Sequence, residues 1–446
     1  MKDKDFYKIA IKMAWPSVLE SFFIALAGMI DTIMVGSLGN FAIASVGLTT
    51  QPKFIGFTIF FALNIALSAL VARRRGQGDK KGANQVFMTA ITISLVLCLI
   101  ISVSMVVFAG QIMQLAGSNF DTHEASVSYF QIIMGGMIFN VVAMIINAAQ
   151  RGSGNTKIAF VTNLTSSIVN IVFNYLLIGG KFGFPALGIK GAALATVFGS
   201  FLAMILSIRS LFHRDSLIEF NYIRNKNIMM NLDSLKSLFS LASTMFVENI
   251  AMRIGFLATA LTAAKLGTDA FAVHNAGMNI LSLGFSFGDG MQVAAVALAG
   301  RSLGENKPDL AIKYGYICQR IGLLISILLS LILMVFGKNI MALYFDQLEV
   351  INMGIMITRF IMVIVLLQIS QLIFAGCLRS GGDVKYTMIT GFVSVTIIRT
   401  AVTLTSVNVF SLGLTGIWMG ILADQASRFI MFALRFRGRK WTKISI

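Results

Sequence analysis

Charge is what this sequence has least of. Only 12% of its 446 residues are Asp, Glu, Lys or Arg, against about 25% in a soluble domain. A surface in contact with water does not tolerate so little charge; a lipid-facing surface requires it. Cysteine is also scarce. Cys98, Cys318 and Cys377 are far apart, with neither disulfide nor metal-ligand spacing, so they read as packing residues. The three histidines, His123, His213 and His274, are scattered, and no Ser-His-Asp constellation or metal cluster accompanies them. No cleavage site follows the first apolar run, so that run is expected to stay as a helix rather than be removed as a signal peptide.

What is present is apolar sequence: 57% of the chain is hydrophobic, and the mean hydropathy is +0.82. A membrane helix needs about 20 apolar residues. Long continuous runs also argue against a β-barrel, whose strands alternate over short segments. Runs between charged or glycine-rich breaks predict twelve spans near 15–36, 45–72, 87–109, 127–149, 158–178, 187–210, 237–262, 270–299, 313–336, 352–376, 386–409 and 413–434. The start of the chain, before the first span, reads as a short amphipathic helix.

The net charge of +17 would suggest nucleic acid in a soluble protein. Here 26 of the 36 Lys and Arg fall in the termini and every second loop, and only 4 in the alternate loops. That distribution predicts both termini and the basic loops on the cytoplasmic side of the cell membrane, and no nucleic-acid partner.

The two halves resemble each other. Glu20 and Glu248 are offset by 228 residues, as are Arg151 and Arg379. Leu38-Gly39 repeats as Leu266-Gly267, Arg75-Gly-Gln-Gly-Asp79 as Arg301-Ser-Leu-Gly-Glu305, and Gly188 and Gly191 as Gly413 and Gly416. Six helices per half give both halves the same orientation, related by an axis along the membrane normal. The expected organisation is an N-lobe over 1–210, a polar cytoplasmic linker over 211–236 and a C-lobe over 237–446. Arg151-Gly-Ser-Gly is not a phosphate loop, because the Gly-Lys-Ser/Thr ending and preceding strand are missing; its repeat at Arg379 favours a tight turn.

The segments Trp15-Pro-Ser-Val-Leu-Glu20, Ile30-Asp-Thr-Ile-Met-Val-Gly36, Gln150-Arg-Gly-Ser-Gly-Asn-Thr-Lys157 and Asn170-Ile-Val-Phe-Asn-Tyr175 resemble those of the MATE (multidrug and toxic compound extrusion) family, in its NorM-like branch. The resemblance extends over essentially the whole chain. It implies an all-α membrane protein of twelve helices, in two pseudo-symmetric six-helix lobes around a central cavity. It further implies a monomeric antiporter, not an enzyme, that exports small, often cationic, drug-like compounds in exchange for H+ or Na+, with no cofactor.

Five acids lie within spans, where a charge is costly and usually has a partner or a task. Asp31 is the first candidate for cation or proton coupling, and the resemblance places a coupling acid here. Asn170 and Asn174 share one face of the fifth span, and with Thr196 they offer neutral oxygens suited to a hard cation. Glu248 resembles the family's C-lobe acid. Its expected acidic partner in the tenth span is replaced by Gln368, which puts a two-acid Na+ site there in doubt. Glu20, Gln368, Asp289 and Arg253 are weaker candidates for the substrate cavity. Arg253 or Arg399 is expected to balance Asp289, and Asp424 with Arg428 reads as an i,i+4 salt bridge. The sequon at Asn163 falls inside a span and carries no glycan. The 25 Met and 36 Phe suit a promiscuous pocket, although any apolar bundle contains them. Two other readings stand beside efflux: a flippase for a lipid-linked precursor, needing a more cationic cavity, and an intramembrane enzyme, for which no catalytic set is visible.

Overall fold

The computed structural model describes residues 3–38, 40–118, 120–213, 216–266, 268–345 and 347–444. Gly39 and Gly267 of the repeated Leu-Gly pair, and the basic residues Lys2 and Arg214, lie outside the described residues. Among the described residues every regular element is helical, as lipid demands of a chain that must satisfy its own backbone.

The spans are α1 Asp3–Gly36, α2 Asn40–Gly76, α3 Lys80–Val107, α4 (His123–Gly135 with Met137–Gly152), α5 Thr156–Gly179, α6 Gly188–Ser210, α7 Leu232–Lys265, α8 Thr268–Gly304, α9 Pro308–Ala342, α10 Leu348–Ser380, α11 Val384–Val409 and α12 Gly413–Arg437. Among the described residues, ten of these are long and apolar enough to cross a membrane, and the bent pair of α4 makes an eleventh. The twelfth, α7, is 34 residues long and carries Asp233, Lys236, Glu248, Arg253 and Lys265. Helix α4 bends by 45° at Gly136, where a Cβ would stand 2.6 Å from Val197; a glycine pair at this point permits the kink. The amphipathic N-terminus is continuous with α1 rather than a separate helix.

The basic turns are built alike. After α2, α4, α8 and α10 a residue with positive φ closes the helix: Gly78, Gly154, Asn306 and Gly382. In each, the next amide reaches back five residues: Asp79 to Arg74, Asn155 to Gln150, Lys307 to Ser302 and Asp383 to Leu378. This is the left-handed helix stop that favours Gly or Asn, so Arg151-Gly-Ser-Gly is a C-cap. Arg75 donates to the Ser153 carbonyl, joining two of these turns.

Contacts divide the chain into two units, Leu19–Ala242 and Met1–Val18 with Ser243–Ile446. The division runs through α1 and α7, not through 211–236. In the C-terminal unit, Phe6 packs edge-on against Tyr314, the Tyr7 hydroxyl accepts from Arg320, and Ala10 and Ala14 join the core. The 211–236 segment is seated on the N-terminal unit. Asn84 donates to the Leu217 carbonyl at 2.9 Å, Glu219 pairs with Lys80 at 2.7 Å, and Asn231 donates to Thr89 at 3.2 Å.

With lipid as solvent, helices associate through close packing rather than through water exclusion. In the N-terminal unit, Gly191 lies against the Leu177 carbonyl and Gly199 against that of Ser166, clamping α6 onto α5. In the C-terminal unit, Gly255 lies against the Val395 carbonyl, bringing α7 onto α11. Helix α11 widens to π-helical turns over Phe392–Arg399 and Thr405–Val409, a local geometry that re-aims side chains such as Arg399.

Candidate functional site

The N-terminal unit gathers Asp31, Asn170, Asn174 and Thr196 into one chain of hydrogen bonds. Asn174 Nδ2 donates to Asp31 Oδ1 and stands 3.4 Å from Asn170 Oδ1. Asn170 Nδ2 donates to Thr196 Oγ1 at 3.1 Å, and Thr196 donates to the Ala192 carbonyl at 3.0 Å. The one-turn spacing of the two asparagines places both on the face of α5 that Gly199 lets α6 approach. Asn174 is fully buried, yet its Oδ1 accepts no hydrogen bond among the described residues. A buried carbonyl oxygen without a donor is costly, and oxygen is the ligand type that hard cations prefer.

Two members of this site escaped sequence reasoning. Tyr129 of α4 is buried, hydrogen-bonds Thr196 and lies in the field of Asp31. Lys53 of α2 is half-buried and interacts electrostatically with Asp31. Lys53 carries a legible signal, since it is a lysine inside an apolar span. Tyr129 carries none.

Glu20 is placed apart from that cluster, in a network of its own. Arg151 Nη1 is 2.7 Å from Glu20 Oε1, Asn163 donates to the same oxygen at 2.6 Å, and Arg151 Nη2 donates to Asn64 at 3.2 Å. The C-terminal unit repeats the pair: Arg379 Nη2 is 2.7 Å from Glu248 Oε1. Both carboxylates are buried, and in both the second oxygen lacks a partner among the described residues. Gly391 stands where the 228-residue offset of Glu20 and Glu248 puts the counterpart of Asn163. A Cβ there would come within 3.1 Å of Glu248.

The remaining candidates of the C-terminal unit separate. Gln368 is buried against Gly284, and neither of its amide atoms has a hydrogen-bond partner among the described residues. Arg253 is exposed. Asp289 is exposed and interacts with Arg379. Arg399, one of its two expected counterweights, is turned elsewhere. Its Nε donates to Thr259 at 2.9 Å and its Nη1 lies 3.6 Å from Asp424, which Arg428 holds at 2.8 Å. Thr259 is the counterpart of Asp31, so a fixed guanidinium stands in the C-terminal unit where the N-terminal unit has its acid site. The i,i+4 pair of Asp424 and Arg428 forms as its spacing implied.

Two bundles of apolar helices with acids, amides and hydroxyls converging inside one of them define a membrane transporter. A family model described as MatE matches residues 16–176 and 244–405, and the chain belongs to that family, whose members are transporters and not enzymes. A "Probable multidrug resistance protein NorM" of Thermotoga maritima is 26% identical over 442 residues, covering 98% of this chain and 94% of that protein. "Multidrug resistance protein MdtK" of Yersinia enterocolitica is 28% identical over 443 residues, covering 96% and 94%. A solved outward-facing structure of a multidrug resistance MATE family transporter of the MOP superfamily superposes with a TM-score of 0.90 at 22% identity, over 98% of this chain and 97% of that one.

Proposed function

We propose that the protein is a secondary active antiporter that exports small organic, often cationic, compounds in exchange for H+ or Na+ by alternating access. The observation that carries this reading is the Asp31 site, an intramembrane carboxylate bonded to Asn174 beside the unpartnered Asn174 oxygen. Asp31, Asn170, Asn174, Thr196 and Tyr129 supply oxygen ligands suited to a proton or a hard monovalent cation. Binding there would favour one conformation over the other in proportion to its differential affinity. Export follows if the cation-loaded state is the one that releases substrate outside.

The names of the relatives support a multidrug substrate class. The uneven distribution of basic loops supports a cytoplasmic-membrane location with both termini inside, and the chain is proposed to act as a monomer. The flippase alternative is not favoured: Arg399, one of the cations it would use, is engaged by Thr259 and Asp424.

The test is transport in proteoliposomes with Na+ and H+ gradients imposed separately, using ethidium as substrate. Movement driven by one gradient and lost in Asp31→Asn supports the reading. Ethidium movement indifferent to both gradients would overturn antiport.

A further inference from the structure

The stretch between α6 and α7 lies along α3 instead of standing free in water. The Glu219 amide donates to Asn84 Oδ1 at 3.3 Å, and the Asn231 amide donates to Thr89 at 3.2 Å. Ile218, Ile223 and Ile228 are buried beneath it. From Asn84 to Thr89 a helix rises about 7.5 Å, so the stretch descends by that much along a membrane-spanning helix. Where this cover ends, the outer side of α3 becomes apolar and open: beyond Thr89, Leu95, Val96, Leu99 and Ile100 are all exposed.

At the same edge the stretch itself turns apolar. Met229, Met230 and Leu232 are exposed by 75%, 49% and 67%. Phe239, on the same face of α7 as Leu232, is exposed by 71%. Water disfavours such side chains and acyl chains accept them. Further out, the unpaired charge is of one sign. Lys80 pairs with Glu219 at 2.7 Å and lies 4.8 Å from the centre of the Tyr222 ring. These contacts hold the short helix Phe220–Asn225 beside the start of α3. Next to them Lys81, Arg224 and Lys226 are exposed, and none of the three is in an ion pair among the described residues. Lys236 is exposed as well, and over 216–236 Asp233 is the one exposed acid. An apolar edge under a basic patch is the arrangement of an interfacial element, and basic clusters beside a span attract anionic headgroups.

We propose that the stretch from Ser216 to Lys236 sits in the membrane interface and is a binding site for anionic phospholipid. The basic patch takes the phosphodiester headgroup, and the edge at Met229, Met230 and Leu232 takes the acyl chains. A zwitterionic headgroup carries the same phosphate with its own cation attached, so the patch selects against it by charge. The site does not depend on what the protein transports.

The test is binding of fluorescently labelled phosphatidylglycerol and phosphatidylcholine to the full-length protein in a neutral detergent. The native protein is expected to favour phosphatidylglycerol by at least about tenfold. Combining Lys81→Gln, Arg224→Gln and Lys226→Gln should remove most of that preference, at roughly fivefold per charge. Combining Lys81→Arg, Arg224→Lys and Lys226→Arg keeps the charge and should keep the preference. Removing three charges from the C-terminal tail instead, with Arg437→Gln, Lys440→Gln and Lys443→Gln, should also leave it intact. Met230→Asp should weaken binding of both lipids. Equal affinity of the native protein for the two lipids overturns the proposal, as does unchanged binding in Met230→Asp. Equal loss of preference in the tail variant would reduce the effect to net charge and overturn it too. Displacement of the labelled lipid by glycerol 3-phosphate at similar concentration would assign the patch to a soluble anion, with the same consequence.

Discussion

The guanidinium of Arg379 holds the carboxylate of Glu248 at 2.7 Å, across 131 residues of sequence, and Arg151 holds Glu20 at the same distance and separation. The duplicated scaffold therefore extends to individual ion pairs, and the differences between the units stand out against it.

Breaking one such pair leaves a buried charge uncompensated. Arg151→Ala is expected to destabilise the protein by about 3 kcal/mol, seen as a lower melting temperature in detergent. The double variant with Glu20→Gln should recover part of that loss. A double variant no more stable than Arg151→Ala would mean the pair is not coupled.

Arg399 and Arg428 share Asp424 in a buried cluster. Asp424→Asn leaves two guanidiniums without a counter-charge and should cost several kcal/mol, roughly 3–5. Folded yield and thermal unfolding report it. Little change in both would show that the arginines have other partners.

Lys53 presents a positive charge to Asp31. Lys53→Met removes a competitor for any cation arriving at that carboxylate. Affinity for a cation at Asp31 should rise, roughly tenfold at an effective dielectric near 20, as measured by isothermal titration with Na+ and by the pH dependence of efflux. Weaker or equal affinity in both measurements would exclude this role for Lys53.

Gly382 has φ of +87°, whereas Asn306 occupies the matching left-handed position with φ of +56°. Gly382→Ala is expected to cost about 1–2 kcal/mol, while Asn306→Gly should be close to neutral. Comparison of the two melting temperatures checks the shared turn geometry.

The positions of the helices, the basic turns and the duplicated Glu and Arg were legible in the sequence, because each depends on local rules. An apolar run must match the bilayer and satisfy its own backbone, and a helix stop needs a residue tolerant of positive φ. The Asp424–Arg428 pair was legible for the same reason, being one turn apart on one helix. Asp31, Asn170, Asn174 and Thr196 were legible as polar residues inside apolar spans. That Asn174 donates to Asp31 across 143 residues was decided by the packing of α5 beside α1. Only the tertiary structure paired Glu20 with Arg151, turned Arg399 to Thr259 across 140 residues, and left Asp289 on an open face. Charges in a low-dielectric interior take the partner that packing brings within a few ångströms, and that choice depends on which helices become neighbours, which no spacing along the chain encodes.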